Sequence, residues 1–183
     1  RFSPDSLLGT LAMHDISYCV GRNDHELGDV FLRSGRENGQ NIVELDADFA
    51  KARVTGEFLP TRLVDLAANT VYSVFPALRN EVVYVHADQR FTFEVRTGES
   101  DAILDLVAPG LYIAPGSTVT GALDSRTFDI DVTAHIPSIR YGTSSFDSME
   151  VIMDKTLDVL VFSARSERQT FKDSTWFAGT SAR

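Results

Sequence analysis

The chain has 183 residues, a formal net charge of −9 at pH 7 and a hydrophobic fraction of 43%, which is ordinary for a folded globular protein. No basic stripe accompanies the negative charge, so nucleic acid and other polyanions are excluded as expected partners. The single cysteine rules out an intramolecular disulfide, and no apolar run reaches the ~20 residues that a membrane-spanning helix needs.

The first third of the chain is predicted to form β-strands. Short strands are expected over 7–13, 16–20 and 29–33, separated by a polar turn over 21–26 and followed by a loop over 34–39. Two further strands end at Phe58, and in them apolar and polar residues alternate. Cys19 falls inside a predicted strand and is expected to be a small buried hydrophobe.

One amphipathic helix is predicted over 60–78. Pro60 suits a helix start, and apolar residues from Leu63 to Leu78 recur at spacings of three and four. A second, short helix is predicted over 101–107, where Pro109 and Gly110 stop it. Since the first helix follows an amphipathic strand pair, we expect it to pack onto the apolar face of the sheet.

The second half of the chain has the spacing of a strand meander. Strands are expected over 82–85, 89–97 and 157–162, with turns over 121–126, 135–145 and 154–155. The strand 157–162 is apolar on both faces apart from Asp158 and is predicted to be the most buried. The sequence therefore predicts one mainly β module over 1–165, built as an elongated or rolled antiparallel sheet, and a polar tail over 166–183 that frays.

The alternating strands give each predicted sheet segment one apolar and one polar face, because side chains alternate across a strand. A continuous apolar face needs a cover, which is either an ordinary protein core or an apolar ligand. Under the ligand hypothesis the groove is lined by Val43, Leu45, Phe49, Val54, Phe58, Phe91, Phe93, Val95, Phe128, Ile130, Val132, Met149, Val151 and Met153. Acyl chains suit such a lining, at roughly 0.8 kcal/mol per buried methylene.

Signatures of catalysis and metal binding are missing from the sequence. The four histidines are not at metal-ligand spacing, and the paired acids Asp46 with Asp48 and Asp129 with Asp131 fall on the predicted polar face. There is no Gly-x-Ser-x-Gly elbow, no Walker loop and no Gly-x-Gly-x-x-Gly motif. We therefore expect no enzyme activity, no metal and no cofactor.

Several segments together resemble TamB proteins of the type found in Bacteroidota, which belong to the AsmA-like group. The first is the strand ending in Val54-Thr55-Gly56-Glu57-Phe58, followed by Leu63-Val64-Asp65-Leu66 with Tyr72 and Phe75-Pro76, and by Phe91-Thr92-Phe93-Glu94-Val95. The second runs from Leu111 to Pro115, through Gly116 to Asp124, and on to the strand 128–134 with Pro137-Ser138-Ile139-Arg140-Tyr141-Gly142. The resemblance covers about three quarters of the chain.

This resemblance implies an internal piece of a large periplasmic envelope protein that is anchored in the inner membrane elsewhere. Such proteins form a long sheet folded like a taco around a hydrophobic groove, and they support phospholipid transport to the outer membrane and the assembly and secretion of outer-membrane proteins with TamA. The implied partners are phospholipid acyl chains and a TamA-like protein. The helix at 60–78 departs from this pattern and would cap the groove locally.

Two other hypotheses remain open at the level of sequence. The chain can be a closed β-sandwich that binds a protein partner by strand addition at an exposed edge, and such edges also invite homodimers. A hydrolase with its acids gathered in a cleft ranks last.

Overall fold

The computed structural model describes residues 8–20, 23–60, 63, 88–127, 129–156, 159–171 and 174–182. Within these residues it contains eleven strands and one short helix: β1 Gly9–Val20, β2 Asn23–Glu37, β3 Gln40–Ala47, β4 Ala50–Glu57, β5 Arg90–Thr97, α1 Asp101–Val107, β6 Leu111–Ile113, β7 Thr118–Asp124, β8 Asp129–Tyr141, β9 Ser144–Thr156, β10 Val159–Phe171 and β11 Ser174–Ala182.

The strands form one open antiparallel sheet in nearly sequential order. The path runs β1-β2-β3-β4-β5-β7-β8-β9-β10-β11, and β6 pairs with β8 beside this path. Each strand of the path is antiparallel to its neighbours, as hairpin connections require. The prediction of a mainly β, elongated meander sheet is confirmed, and so is the short helix at 101–107.

The strand register places one apolar residue from every strand of the path in a single row. Directly opposed residues lie on the same face of a sheet, so this row belongs to one face, which we call the apolar face. The row consists of Leu11, Leu32, Leu45, Ala52, Val95, Val119, Ala134, Val151, Ala164 and Ala182. Along this row, the apolar face therefore crosses all ten strands of the path without a polar residue.

A local cover buries the centre of the apolar face. Leu104 and Ala108, at and just after α1, and Ile113 of β6 pack against a cluster of buried residues. The cluster consists of Leu111, Ala134, Ile136, Ile139 and Val151. The chain between β5 and β7 thus supplies its own cover for the strands that follow it.

Residues with positive φ mark one tight turn and one bulge in the first hairpins of the sheet. Asn38 and Gly39 have φ of 50° and 82° and join β2 to β3 in two residues. Both central residues of a type I′ turn need positive φ, which Asn-Gly tolerates best. Asp15, with φ 52°, lies where the β1–β2 register shifts, so β1 is bulged between Met13 and Ser17.

Several predictions about the strands are wrong. The turn predicted at 154–155 lies inside β9, because both residues pair with β8 and β10. β2 continues through the predicted turn and loop, since its residues pair with β1 and β3 from Asn23 to Glu37. β8 runs unbroken through the predicted turn at 135–145 as far as Tyr141. The segment 157–162 is not the most buried strand, because Val159 and Val161 are exposed in the described part of it. Cys19 is exposed as well, because it lies in the outer strand β1.

Other expectations fall partly or wholly outside the described residues. The helix predicted over 60–78 is represented only by Pro60 and Leu63, and the strand predicted over 82–85 is not described. The segment expected to be a polar tail holds the end of β10 and all of β11, and the two strands pair from Ala164 to Phe171.

Candidate functional site

The residues expected to line a groove lie on or next to the apolar face, and none of those described is exposed. Val43, Val54, Phe93, Val132 and Met153 share one row, and Leu45, Val95 and Val151 share the next. The buried ones are Phe58, Phe91, Val132, Val151 and Met153, and the half-buried ones are Val43, Leu45, Phe49, Val54, Phe93, Val95, Ile130 and Met149. Phe128 lies outside the described residues.

The aromatic members of this set are packed against one another. The ring of Phe58 meets the ring of Phe91 edge to face at 5.8 Å, and Phe91 lies 6.2 Å from Phe93. Such pairs contribute about 0.5–1.5 kcal/mol beyond the area that they bury. These residues therefore form core in this region rather than the wall of an open channel.

The open part of the apolar face lies near the two ends of the sheet. At one end, Leu11 is 51% exposed, Met13 38% and Leu32 37%. Near the other end of the sheet, Phe162 of β10 lies opposite Met153, in the same row as Phe93. Its side chain is 38% exposed. Sequence reasoning missed these four residues. For Leu11 and Met13, their period-two spacing in the predicted strand 7–13 is the signal that could have found them.

The opposite face of the sheet is polar and carries a closed ring of ion pairs. Arg33 and Arg53 each contact both Glu37 and Glu44, across β2, β3 and β4. All four side chains are at least partly exposed, so each pair is expected to contribute at most about 1 kcal/mol. The ring marks this face as the one that meets solvent.

A shallow open depression of about 700 Å³ also lies on the polar face. One row across its floor consists of Thr55, Thr92, Ala122, Asp131 and Asp154, and Glu57, Arg90 and Asp124 lie beside it. Asp129 and Asp131, one of the acid pairs noted in the sequence, both line it, whereas Asp46 and Asp48 do not. The described residues contain no group of three or more His, Cys, Asp or Glu side chains placed to hold a metal ion.

Asp124 is the acid of this depression with a resolved shift in its pKa. The Arg126 side chain donates hydrogen bonds to both carboxylate oxygens at 3.2 Å, and the backbone N–H of Arg126 donates a third at 3.0 Å. These bonds lower the pKa of Asp124 because they favour the charged form.

We expect Asp124 to make stability depend on pH in the acid range. A carboxyl whose pKa is lower in the folded state stabilises the fold above its unfolded pKa, and the contribution is lost as pH falls through the folded pKa. The wild-type chain should therefore be more stable than Asp124→Asn at pH 7, with the difference shrinking below about pH 4. Chemical denaturation of both chains at several pH values measures this, and a difference that stays constant down to about pH 2 would contradict it.

Near the turn of the β1–β2 hairpin, two side chains, Tyr18 and Cys19, have pKa values raised by their surroundings. Tyr18 donates a short hydrogen bond to the carbonyl of Ala102 in α1, and its ring stacks on His25 at 4.8 Å. Burial raises the pKa of Tyr18, and the charge of Asp105 adds to the rise. The thiol of Cys19 donates a hydrogen bond to the Asp24 carboxylate at 2.9 Å, and this bond raises the pKa of Cys19. A thiol with a raised pKa has a smaller thiolate fraction at neutral pH.

Among the described residues, none of the helical segments has the length and apolar character that crossing a membrane requires. No protein-family model, curated protein or solved structure matches this chain.

Proposed function

We propose that this chain is a non-enzymatic segment of a cell-envelope protein similar to TamB, and that the apolar face of its sheet carries phospholipid acyl chains. The observation that supports this most is the row of ten apolar residues, from Leu11 to Ala182, which crosses every strand of the path. A sheet with one apolar face needs a cover for that face in water. Among the described residues, α1 and β6 cover its centre, α1 also contacts β2 and Tyr18 of β1, and Leu11, Met13 and Leu32 stay exposed.

The acyl chains lie on the open part of the face, over β1 and β2. Here Leu11, Met13 and Leu32 are exposed, and each methylene that leaves water against them contributes up to ~0.8 kcal/mol. The centre is occupied by the chain's own residues, so lipid passes beside α1 rather than under it. In this role the segment lies in the periplasm, within a parent protein anchored in the inner membrane, and supports outer-membrane biogenesis with a TamA-like partner.

Two neighbouring residues of β2 provide a matched test. Leu32 is 37% exposed on the apolar face and Phe31 is 40% exposed on the polar face. Leu32→Asp places a charge where the acyl chain lies and should weaken the uptake of a fluorescent fatty acid about tenfold, which corresponds to about 1.4 kcal/mol. Titration of the probe, followed by its fluorescence, measures the dissociation constant.

Phe31→Asp is the control, because it adds the same charge at nearly the same exposure on the other face. It should bind the probe as the wild type does. Equal loss of binding in both variants, with far-UV circular dichroism unchanged, would overturn the proposal.

The alternative of a protein-binding module is favoured by a different feature. The described residues form a single sheet rather than two packed sheets, so they do not make a closed sandwich. None of the described strands pairs with the outer edges of β1 and β11, however, and unpaired edges bind partners by strand addition.

A further inference from the structure

We propose that Tyr18 is a latch between the β1–β2 hairpin and α1, and that its release opens this end of the apolar face to acyl chains. The inference rests on the lipid-binding role proposed above and adds to it the place where acyl chains gain access. Its basis is a gap at one end of the sheet, which α1 bridges.

The middle strands of the sheet stop at this end, whereas the strands on either side continue. β3 ends at Ala47, opposite Val30, and β2 extends beyond that pair. On the other side of the gap, β7 begins at Thr118, opposite His135, and β8 runs on to Tyr141. The β3–β4 turn and the end of β5 lie at the same end, so the two extensions flank a gap beyond β3, β4 and β5.

The helix α1 lies between the two extensions. It contacts β2 on one side and β6 on the other, and β6 pairs with the extended part of β8. The chain before α1 is anchored, because the backbone N–H groups of Gly98 and Glu99 donate to the carbonyls of Phe49 and Asp48. The chain after it is anchored by the buried Leu111. None of the seven residues of α1 is itself buried, so α1 is a strap fixed at its two ends.

Tyr18 joins the first hairpin to this strap. Its hydroxyl donates a hydrogen bond to the carbonyl of Ala102, in the first turn of α1, and its ring stacks on His25 at 4.8 Å between centroids. The stacking holds the ring in the position that the hydrogen bond needs. Burial, and then the charge of Asp105, raise the pKa of Tyr18, so the hydroxyl keeps its proton and remains a donor at neutral pH.

The hairpin is irregular at the place where it leaves β3. The register of β1 and β2 shifts twice between Met13 and Ser17, and Asp15 and Gly28 have positive φ there, 52° and 72°. A bulge interrupts the ladder and bends the strand, which makes this a natural hinge. Since β2 pairs with β3 only from Val30 onward, the part of the hairpin beyond the bulge is held to α1 by Tyr18 and not by pairing with β3.

The opening between the hairpin and α1 leads onto the part of the apolar face assigned to lipid. Met13 directly precedes the bulge, lies on the apolar face opposite Val30 and is 38% exposed. In the closed arrangement acyl chains lie beside α1, and release of the latch lets them reach that position from this end of the sheet.

Amide hydrogen exchange of Tyr18→Phe tests the latch without any lipid. The variant keeps the ring that stacks on His25 and removes only the hydroxyl. The amides of Leu104 and Ala108 report on α1, because they donate to the carbonyls of Ser100 and Leu104. Exchange of these two amides, followed by NMR, should be about fivefold faster than in the wild type, while the amides of β4 and β5 exchange at the wild-type rate.

Tyr141→Phe is the matched control, because it removes the same hydroxyl from a side chain of β8 that is 53% exposed. It should leave the exchange of the α1 amides unchanged. Wild-type exchange of these amides in Tyr18→Phe, or an equal acceleration in Tyr141→Phe or throughout β4 and β5, would overturn the proposal.

Stopped-flow binding of a fluorescent fatty acid tests whether the latch controls access. Tyr18→Phe should bind the probe with an association rate about fivefold higher, because a larger fraction of the chains is open, and Tyr141→Phe should bind it at the wild-type rate. Faster exchange of α1 without faster association would overturn the proposal. A wild-type chain that binds no probe would instead refute the lipid-binding role, and the exchange rates would still decide whether Tyr18 latches α1.

Discussion

Val151→Asp is expected to abolish cooperative folding of the sheet. Val151 is 1% exposed and belongs to the cluster with Ala134 and Ile136, beneath the cover formed by α1 and β6. A carboxylate at this position has no cation to pair with in that cluster, so its desolvation is expected to cost about 4 kcal/mol or more. Thermal and urea unfolding, followed by circular dichroism, measure the loss.

The adjacent residue provides the control for this variant. Ile152 follows Val151 in β9 but points to the polar face, where it is 39% exposed opposite Thr133. Ile152→Asp should change the free energy of unfolding by no more than about 0.5 kcal/mol, as surface substitutions usually do. A comparable loss of stability in both variants would mean that β9 does not have the two unlike faces described above.

Gly98→Ala is expected to destabilise the junction between β5 and the β3–β4 turn. The backbone N–H of Gly98 donates to the carbonyl of Phe49 at 2.9 Å, and that of Glu99 donates to Asp48 at 3.0 Å. A Cβ on Gly98 would lie far inside van der Waals contact with the carbonyl group of Asp48, which is backbone and cannot turn aside. We expect a loss of about 1–3 kcal/mol in the free energy of unfolding, measured by urea denaturation.

Gly9→Ala is the matched control for the same chemical change. A Cβ on Gly9 meets no atom within 4 Å, and the residue lies at the exposed start of β1. Its stability should stay within about 0.5 kcal/mol of wild type. If both alanine variants unfolded at the same urea concentration as the wild type, Gly98 would not lie as close to the backbone carbonyl of Asp48 as described here.

The alternation of side chains made the faces of the central strands predictable. Val54 and Phe93 oppose each other on the apolar face, as the period-two pattern indicates, and Arg53 and Glu94 oppose each other on the polar face. The short helix at 101–107 was also predictable, because Pro109 and Gly110 mark its end. The local sequence is enough to predict the faces of a strand and the end of a short helix, because both depend on residues that are close in sequence.

The lengths of the outer hairpins were harder to predict. Asn38-Gly39 is a strong hairpin signal, yet the polar residues before it were assigned to a loop although they continue β2. The turn predicted at 135–145 contains Pro137, whereas β8 continues past this proline, since its neighbours Ile136 and Ser138 pair with β9. Polar residues remain in a strand where a partner supplies the hydrogen bonds, and the sequence does not show the partner.

Exposure within the candidate site could not be predicted from alternation, because alternation says which residues share a face but not what covers them. Phe93 and Leu32 both lie on the apolar face. Phe93 is half-buried, whereas Leu32, near the end of the sheet, is 37% exposed. The cover depends on contacts distant in sequence, such as Tyr18 of β1 with Ala102 of α1. The open part of the face is therefore a property of the folded sheet.

Native mass spectrometry of the purified chain, with lipid extraction of the same sample, tests most directly whether the apolar face carries acyl chains. We expect a bound phospholipid in the wild type and in Phe31→Asp, and its loss in Leu32→Asp. A lipid-free mass for the wild type after incubation with phospholipid vesicles, together with no uptake of the fluorescent fatty acid, would contradict it.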